Sequence, residues 1–96
     1  QLTLGDLVYH MSENTLAGPK GSCSLSKREG TLLEAFLRNS GQTLSRPLLL
    51  TRVWGMDSDV EEGNLDNYIH FLRRRLKSVG SSVAVKTVRG IGYRIE

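Results

Sequence analysis

The spacing of hydrophobic residues changes along the chain, and each change predicts a different kind of element. Near the N-terminus, short β-prone runs such as "LTL", "LVYHM" and "SCSL" are separated by turn-forming residues. Asn14 and the Gly18-Pro19 pair favour turns through their local backbone chemistry. This alternation predicts a small antiparallel meander at the N-terminal end.

A helical pattern begins at Ser26. Ser26 and Glu29 stand three residues apart, as in a capping box, in which each side chain accepts a hydrogen bond from the other residue's backbone N–H. The apolar residues that follow have helical spacing: Leu32, Leu33, Phe36 and Leu37. We therefore predict a helix from about residue 27 to residue 38, with Gly41 as the stop signal beyond it.

A second helix is predicted through the run "LLLTRVW". Ser45 can cap its N-terminus, and Pro47 falls near the first turn, where its missing N–H costs little. Gly55 is expected to end the helix. Its buried stripe would consist of Leu49, Leu50, Val53 and Trp54.

A third helix is predicted from near Asn64, which can act as its cap, to near Gly80. At about 100° per residue, one narrow arc is aliphatic and would face the core: Leu65, Ile69, Leu72 and Leu76. The opposite arc carries amide, imidazole, aromatic and guanidinium groups: Asn67, His70, Phe71 and Arg74, with Lys77 beside them. Such side chains can contact base edges and phosphates. An exposed Phe71 could contact a thymine methyl group or pack on a neighbouring loop.

The run "VAVKTVRGIGYRIE" predicts a C-terminal β-hairpin with Arg89 at its tip. In its second strand, apolar Ile91, Tyr93 and Ile95 alternate with Gly92, Arg94 and Glu96. In the first strand the valines depart from period two, which is consistent with a bulge near Lys86 or Thr87. The "GIG" sequence does not predict a nucleotide-binding loop, because that motif needs a third glycine and a following helix.

Between the second and third helices lies "GMDSDVEEG", a loop with four acids and no base. The loop is longer than a helical bundle requires. A solvated connection that its acids keep exposed is one interpretation, and a contact site for a partner is the other.

Basic charge is concentrated towards the C-terminus. Residues 63–96 hold seven Lys and Arg against two acids, whereas residues 1–62 hold six against eight, for an overall charge of +3. A local basic surface is typical of a nucleic-acid partner, although a solvated charged face gives the same count.

Other classes of protein have little support in the sequence. No apolar run approaches the roughly 20 residues of a membrane span, and "QLTLGD" has no signal-peptide character, which indicates a cytoplasmic protein. The lone Cys23 has no metal-ligand spacing around it, and the histidines, cysteine and carboxylates form no catalytic pattern, so we expect no enzyme, metal or cofactor. A start at Gln1 rather than Met suggests a fragment of a longer protein.

Four motifs in consistent order, from Leu25 to Ile95, carry a family resemblance: "LSKRE", "LSRPLLLTRVWG", "NLDNYIHFLRRRL" and "VKTVRGIGYRI". Together they resemble the OmpR/PhoB family of response-regulator effector domains. The resemblance implies a single α+β domain over residues 1–96. Its expected fold is a winged helix-turn-helix with an N-terminal antiparallel four-stranded sheet, three helices and a C-terminal β-hairpin wing.

The resemblance also implies roles for individual residues, with the third helix in the major groove of DNA and the wing in the minor groove. The helix positions that match DNA-facing positions are Asp66, Asn67, His70, Phe71, Arg73 and Arg74. Backbone contacts are expected from Arg73, Arg75, Lys77 and Thr87. At the wing tip, Arg89 matches the minor-groove arginine, and Gly90 and Gly92 match the glycines that let the hairpin turn. The acidic loop matches the connection that touches RNA polymerase, through Met56, Asp57, Ser58, Asp59, Val60, Glu61 and Glu62.

The implied partners are double-stranded DNA with tandem half-sites bound by a homodimer, RNA polymerase, an upstream receiver domain and its sensor kinase. Two alternatives stay open: the DNA-binding domain of a membrane-anchored regulator, and a winged helix that binds a protein. The chain departs from the family pattern at Gly30, where a large aromatic is usual. It also departs at Gly63-Asn64 and at His70-Phe71, where family members often carry an Arg-Thr pair and arginines.

Overall fold

The structure, a computed structural model, describes residues 1–55 and 62–96. Its elements follow in the order β1 (Leu2–Leu4), β2 (Leu7–His10), β3 (Thr15–Gly18), β4 (Gly21–Ser24), α1 (Lys27–Arg38), β5 (Leu44–Ser45), α2 (Arg46–Trp54), α3 (Glu62–Ser78), β6 (Val85–Val88) and β7 (Gly92–Ile95). The α+β class, the three helices and the C-terminal hairpin are confirmed. Within the described residues, no helix is both long and apolar enough to cross a membrane.

The N-terminal meander is a four-stranded antiparallel sheet in the order β1-β2-β3-β4. Asn14 makes the turn between β2 and β3 at a φ of +52°, a left-handed conformation that asparagine tolerates. The sheet buries Leu7, Tyr9 and Leu16 in the core that it shares with the helices. Cys23 lies in β4 and is partly buried.

Helix α1 has the predicted bounds because its signals are local. Glu29 N–H donates to Ser26 Oγ at 3.2 Å, and Ser26 N–H donates to Glu29 Oε1 at 2.7 Å. This reciprocal pair satisfies N–H groups that the first turn leaves without helical partners. Helix α2 likewise begins after Ser45, which caps Leu48 N–H, and ends at Gly55 with a φ of +88°.

The predicted buried stripe of α2 is only partly correct. Leu49 is fully buried, whereas Leu50, Val53 and Trp54 are partly exposed. Helical spacing identifies which side of a helix is apolar, but the depth of burial depends on how many neighbours cover that side.

Helix α3 begins at Glu62, two residues before the predicted cap, so Asn64 is inside the helix. The buried seam begins only at Leu65, so apolar spacing does not define where the helix starts before that residue. The predicted core seam of Leu65, Ile69, Leu72 and Leu76 is confirmed as buried. The helix ends close to the expected Gly80, whose φ is +72° and whose N–H donates to Lys77 O.

A second sheet, in the order β5-β7-β6, forms the wing and its base. The sequence pattern does not predict strand β5, because two residues between helices carry no periodicity. The suggested bulge in β6 is wrong: Val85 pairs with Ile95 and Val88 with Gly92 in one continuous register. Val83 precedes the strand and Val88 is only partly buried, so the valines need not share one face.

Candidate nucleic-acid interface

The outer arc of α3 faces solvent, as its spacing predicts. Its members are all exposed: Asn67, His70, Phe71, Arg74 and Lys77. Phe71 keeps 43% of its surface accessible, which is unusual for a phenylalanine.

Aromatic rings support Phe71 from one side of the helix. Its ring lies edge-on to Tyr68 at 5.6 Å, and Tyr68 lies edge-on to Trp54 at 5.4 Å. The Arg28 guanidinium stands 5.5 Å from the centre of the Trp54 ring. Such edge-to-face contacts restrict the ring positions. Beside this row lies a groove of about 510 Å³ that is lined by Ser26, Glu29, Tyr68, Phe71, Arg74, Arg75 and Ser78.

Asp66, expected to face DNA, is exposed but is bonded to two side chains of the protein. The two terminal nitrogens of Arg46 donate to its two carboxylate oxygens, at 2.6 and 3.3 Å, and the Tyr93 hydroxyl donates to the same carboxylate. The hydrogen bond from Arg46, followed by that from Tyr93, lowers the pKa of Asp66 below its usual value. The carboxylate therefore stays charged at neutral pH, and it connects α2, α3 and β7.

Arg73 and Arg75, both expected to contact the DNA backbone, also have partners within the protein. Arg73 donates to the Val85 carbonyl and to Thr87 Oγ1, on the wing side of α3. Arg75 Nε lies 3.4 Å from Glu29 Oε2, on the α1 side. The two arginines thus lie on opposite sides of α3, between the exposed arc and the rest of the domain.

The wing tip is the turn that joins β6 to β7. Arg89 and Gly90 are exposed, and Gly90 has a φ of +78°, which favours glycine. The Ile91 N–H closes the turn on the Val88 carbonyl, and the Ile91 side chain is 55% exposed. Tyr93, in β7, is buried.

Sequence reasoning missed Arg46 as part of this surface. It is 20 residues from Asp66, and no local pattern indicates that the two side chains meet. Of the predicted polymerase contacts, residues 56–61 lie outside the described residues. Glu62, assigned to the loop, is the first residue of α3. Among the described residues, no three His, Cys, Asp or Glu side chains are grouped so that they could hold a metal ion.

Comparison with known proteins agrees with this geometry. A family model described as "Transcriptional regulatory protein, C terminal" matches residues 20–95. The chain is 32% identical over 96 residues to the transcriptional regulatory protein DltR of Streptococcus agalactiae, covering 100% of this chain and 43% of DltR. It is 43% identical over 70 residues to the response regulator ArlR of Staphylococcus haemolyticus, covering 73% of this chain and 32% of ArlR.

Among solved structures, the DNA-binding domain of Escherichia coli CadC has a TM-score of 0.88 at 30% identity, covering 99% of this chain and 90% of that domain. The chain spans less than half the length of the regulators DltR and ArlR. Its helices, its two antiparallel sheets and the match over residues 20–95 point to one group, whose members are DNA-binding regulators and not enzymes. The chain belongs to the family of transcriptional regulatory protein C-terminal domains, the OmpR/PhoB-type winged helix-turn-helix effector domains of response regulators.

Proposed function

We propose that the domain binds double-stranded DNA at specific sequences and thereby regulates transcription, as the output domain of a cytoplasmic two-component response regulator. One observation carries the proposal. Asn67 and Arg74 lie opposite the buried seam of α3, both are exposed, and neither has a hydrogen bond or ion pair with a described residue. Their donors and acceptors are available to a ligand that lies along the helix.

The proposal gives Asn67 and Arg74 the base contacts. An asparagine amide can pair bidentately with adenine, and an arginine can pair with guanine. Arg74 is two turns from Asn67, and a phosphate contact is its alternative. His70 and Phe71 would contact neighbouring bases, with the Phe71 ring against a thymine methyl group, and Lys77 would contact phosphate.

The wing would supply the remaining DNA contacts. Arg89 is exposed at its tip and has no hydrogen bond or ion pair with a described residue. We assign Arg89 to the adjacent minor groove, where a narrow A·T-rich segment has enhanced negative potential. Gly90 permits the turn, and the Thr87 hydroxyl would contact phosphate.

Further partners follow from the relatives rather than from this domain's own geometry. DltR and ArlR are named as regulators and extend well beyond the matched region. We propose that the full protein carries an upstream receiver domain that a sensor kinase phosphorylates. Two copies would then bind tandem half-sites as a homodimer.

Selection of bound sequences from a random duplex pool tests the proposed function. A single enriched motif, with affinity that falls as salt rises, is expected. Equal affinity for the motif and for scrambled duplexes would contradict the proposal and favour a winged helix that binds a protein partner.

Asn67→Ala is expected to relax sequence preference at one or two base pairs, because a bidentate amide contact is worth about 1 to 3 kcal/mol of discrimination. The measurement is affinity for the selected site and for its single-base variants. Lys77→Ala is the control: it should weaken every duplex alike and lower the salt slope by about 0.9. If Asn67→Ala also weakens all duplexes equally, Asn67 contacts the backbone.

The acidic loop is proposed to contact RNA polymerase rather than DNA, because its carboxylates would be repelled by the phosphate backbone of DNA. Neutralising Asp57, Asp59, Glu61 and Glu62 together should leave DNA affinity unchanged or raised, while transcription from a saturated promoter changes. Glu13→Gln, which neutralises an exposed acid near the β2–β3 turn, is the control. Equal transcription by the loop variant and the parent at saturation would contradict this assignment.

A further inference from the structure

Arg73 connects the recognition helix α3 to the wing through two nitrogens of its guanidinium group. Nε and Nη2 both donate to the Val85 carbonyl, at 3.0 and 2.8 Å, and Nη2 also donates to Thr87 Oγ1 at 2.9 Å. The guanidinium carbon lies 5.7 Å from the centre of the Tyr93 ring. A single side chain of α3 therefore contacts both strands of the hairpin.

The Val85 carbonyl needs this partner. Strand β6 is at the edge of the sheet, and the hydrogen-bonded pair next to Val85 is formed by Ala84 and Glu96. Antiparallel pairs alternate, so Val85, opposite Ile95, directs its N–H and C=O away from β7. Arg73 gives that outward carbonyl a charge-assisted bond, which is stronger than a neutral one.

Leu76 of α3 and Val85 of β6 are buried in the common core, but part of the boundary between the two elements is open. An open cleft of about 230 Å³ lies there, lined by Arg73, Leu76, Lys77, Ser81, Val83, Ala84 and Val85. Side chains that do not interdigitate across a cleft do not fix the angle between two elements. The bonds from Arg73 cross this open side of the boundary, whereas the bond from the Tyr93 hydroxyl to Asp66 joins α3 to β7 elsewhere.

We infer that Arg73 is a positioning residue that fixes the angle of the wing relative to α3, and is not a phosphate contact. With α3 in the major groove, this angle would place Arg89 in the adjacent minor groove. The consequence for DNA rests on the proposed function, but the consequence for the wing angle does not.

Arg73→Lys separates the two roles. A lysine keeps the positive charge, so a phosphate contact or a general attraction to DNA would largely survive. Its single ammonium group cannot reproduce the planar arrangement of donors that reaches Val85 and Thr87 together. Loss of function in the lysine variant therefore reports geometry rather than charge.

The experiment uses Arg73→Lys, Arg89→Ala and the double variant, on duplexes that differ only in the A·T content of the flank beside the selected site. We expect the parent to prefer the A·T-rich flank and Arg73→Lys to lose that preference. If Arg73 acts by positioning Arg89, its replacement should have no further effect once Arg89 is removed. We therefore expect the affinities of the double variant and of Arg89→Ala to agree within about twofold, the usual error of additivity.

Arg75→Lys is the matched control. It makes the same exchange on the same helix, but its partner is Glu29 on the α1 side. It should retain the flank preference, and its effect on affinity should be equal with and without Arg89→Ala.

A second measurement needs no DNA. Residual dipolar couplings of the backbone amides in α3 and in residues 85–95 give the orientation of the wing in the free protein. A changed wing orientation in Arg73→Lys, with the four-stranded sheet unchanged, supports the inference. Unchanged couplings would overturn it.

The outcomes also separate this inference from the proposed function. If the parent shows no flank preference, the wing contact proposed above is wrong, and the dipolar couplings alone decide the role of Arg73. If Arg73→Lys retains the preference, and Arg73→Ala lowers the salt slope by about 0.9 in the Arg89→Ala background, Arg73 is a phosphate contact.

Discussion

Gly30→Ala should destabilise the domain by about 2 kcal/mol, even though alanine is the better helix former. Gly30 is buried in the first turn of α1. A Cβ atom at this position would overlap Asn14 Oδ1 and would lie 2.5 Å from the Tyr9 hydroxyl oxygen. Tyr9 and Asn14 therefore occupy the space that a side chain at position 30 would need.

These two side chains cannot move aside cheaply. The Tyr9 hydroxyl donates to Asn14 Oδ1 at 2.6 Å, and Asn14 Nδ2 donates to the carbonyls of Leu25 and Ser26 at 2.8 and 3.0 Å. Displacing Asn14 would break its bond to the Leu25 carbonyl, at a cost comparable to a lost hydrogen bond, whereas the Ser26 carbonyl would keep the Gly30 N–H as a donor.

Removing the Tyr9 hydroxyl and the Asn14 side chain should make Gly30→Ala stabilising instead of destabilising. In a Tyr9→Phe/Asn14→Gly background, Gly30→Ala should stabilise by up to about 1 kcal/mol through helix propensity. Glycine suits position 14 because its φ is +52°. Urea unfolding of the parent, the background variant and each of these with Gly30→Ala gives the change in free energy of unfolding in both backgrounds. Equal costs of Gly30→Ala in the two backgrounds would show that the overlap does not matter.

The parts of the fold that the sequence predicted are those whose causes are local. The capping box and apolar spacing defined α1 to the residue, and the same spacing separated the buried seam of α3 from its exposed arc. Asn67 and Arg74 could be selected as base-contact candidates for that reason, since helix geometry alone places them opposite the seam.

The parts that could not be predicted depend on contacts between distant segments. Strand β5 exists because Leu44 and Ser45 pair with β7, and no property of a dipeptide reveals that. Arg46 and Asp66 meet only after α2 and α3 have packed together. Arg73 and Arg74 are adjacent arginines that the sequence does not distinguish. Only the fold places Arg73 against the wing and leaves Arg74 in solvent.

Gly92→Ala should be the most damaging single substitution near the wing, with a loss of about 3 kcal/mol or more, because it combines steric overlap with broken backbone pairing. Gly92 does not have a left-handed φ, so its need for glycine is steric. A Cβ atom would overlap the Leu44 carbonyl oxygen and would lie 3.0 Å from Ser45 Cα. Both obstacles are backbone atoms, which cannot rotate away as a side chain can.

Separation of β5 from β7 should also disturb the proposed DNA-binding surface. Ser45 caps α2, and the backbone N–H of Arg46 donates to the Ile91 carbonyl at 3.2 Å, which holds the start of α2 beside β7. The Arg46 side chain in turn holds Asp66 of α3 and contacts the Tyr93 hydroxyl. Gly92→Ala should therefore lower DNA affinity even under conditions in which the variant is still folded.

Gly41→Ala is the control for glycine replacement itself. Gly41 has a φ of +81°, and no neighbouring atom lies within 4 Å of the position that a Cβ atom would take, so its replacement should cost only left-handed backbone strain, about 1 kcal/mol. Urea unfolding and titration with the selected duplex should place Gly92→Ala well below Gly41→Ala in both stability and affinity. Equal losses for the two variants would mean that β5 and β7 can separate at little cost, and that the wing does not depend on this pairing.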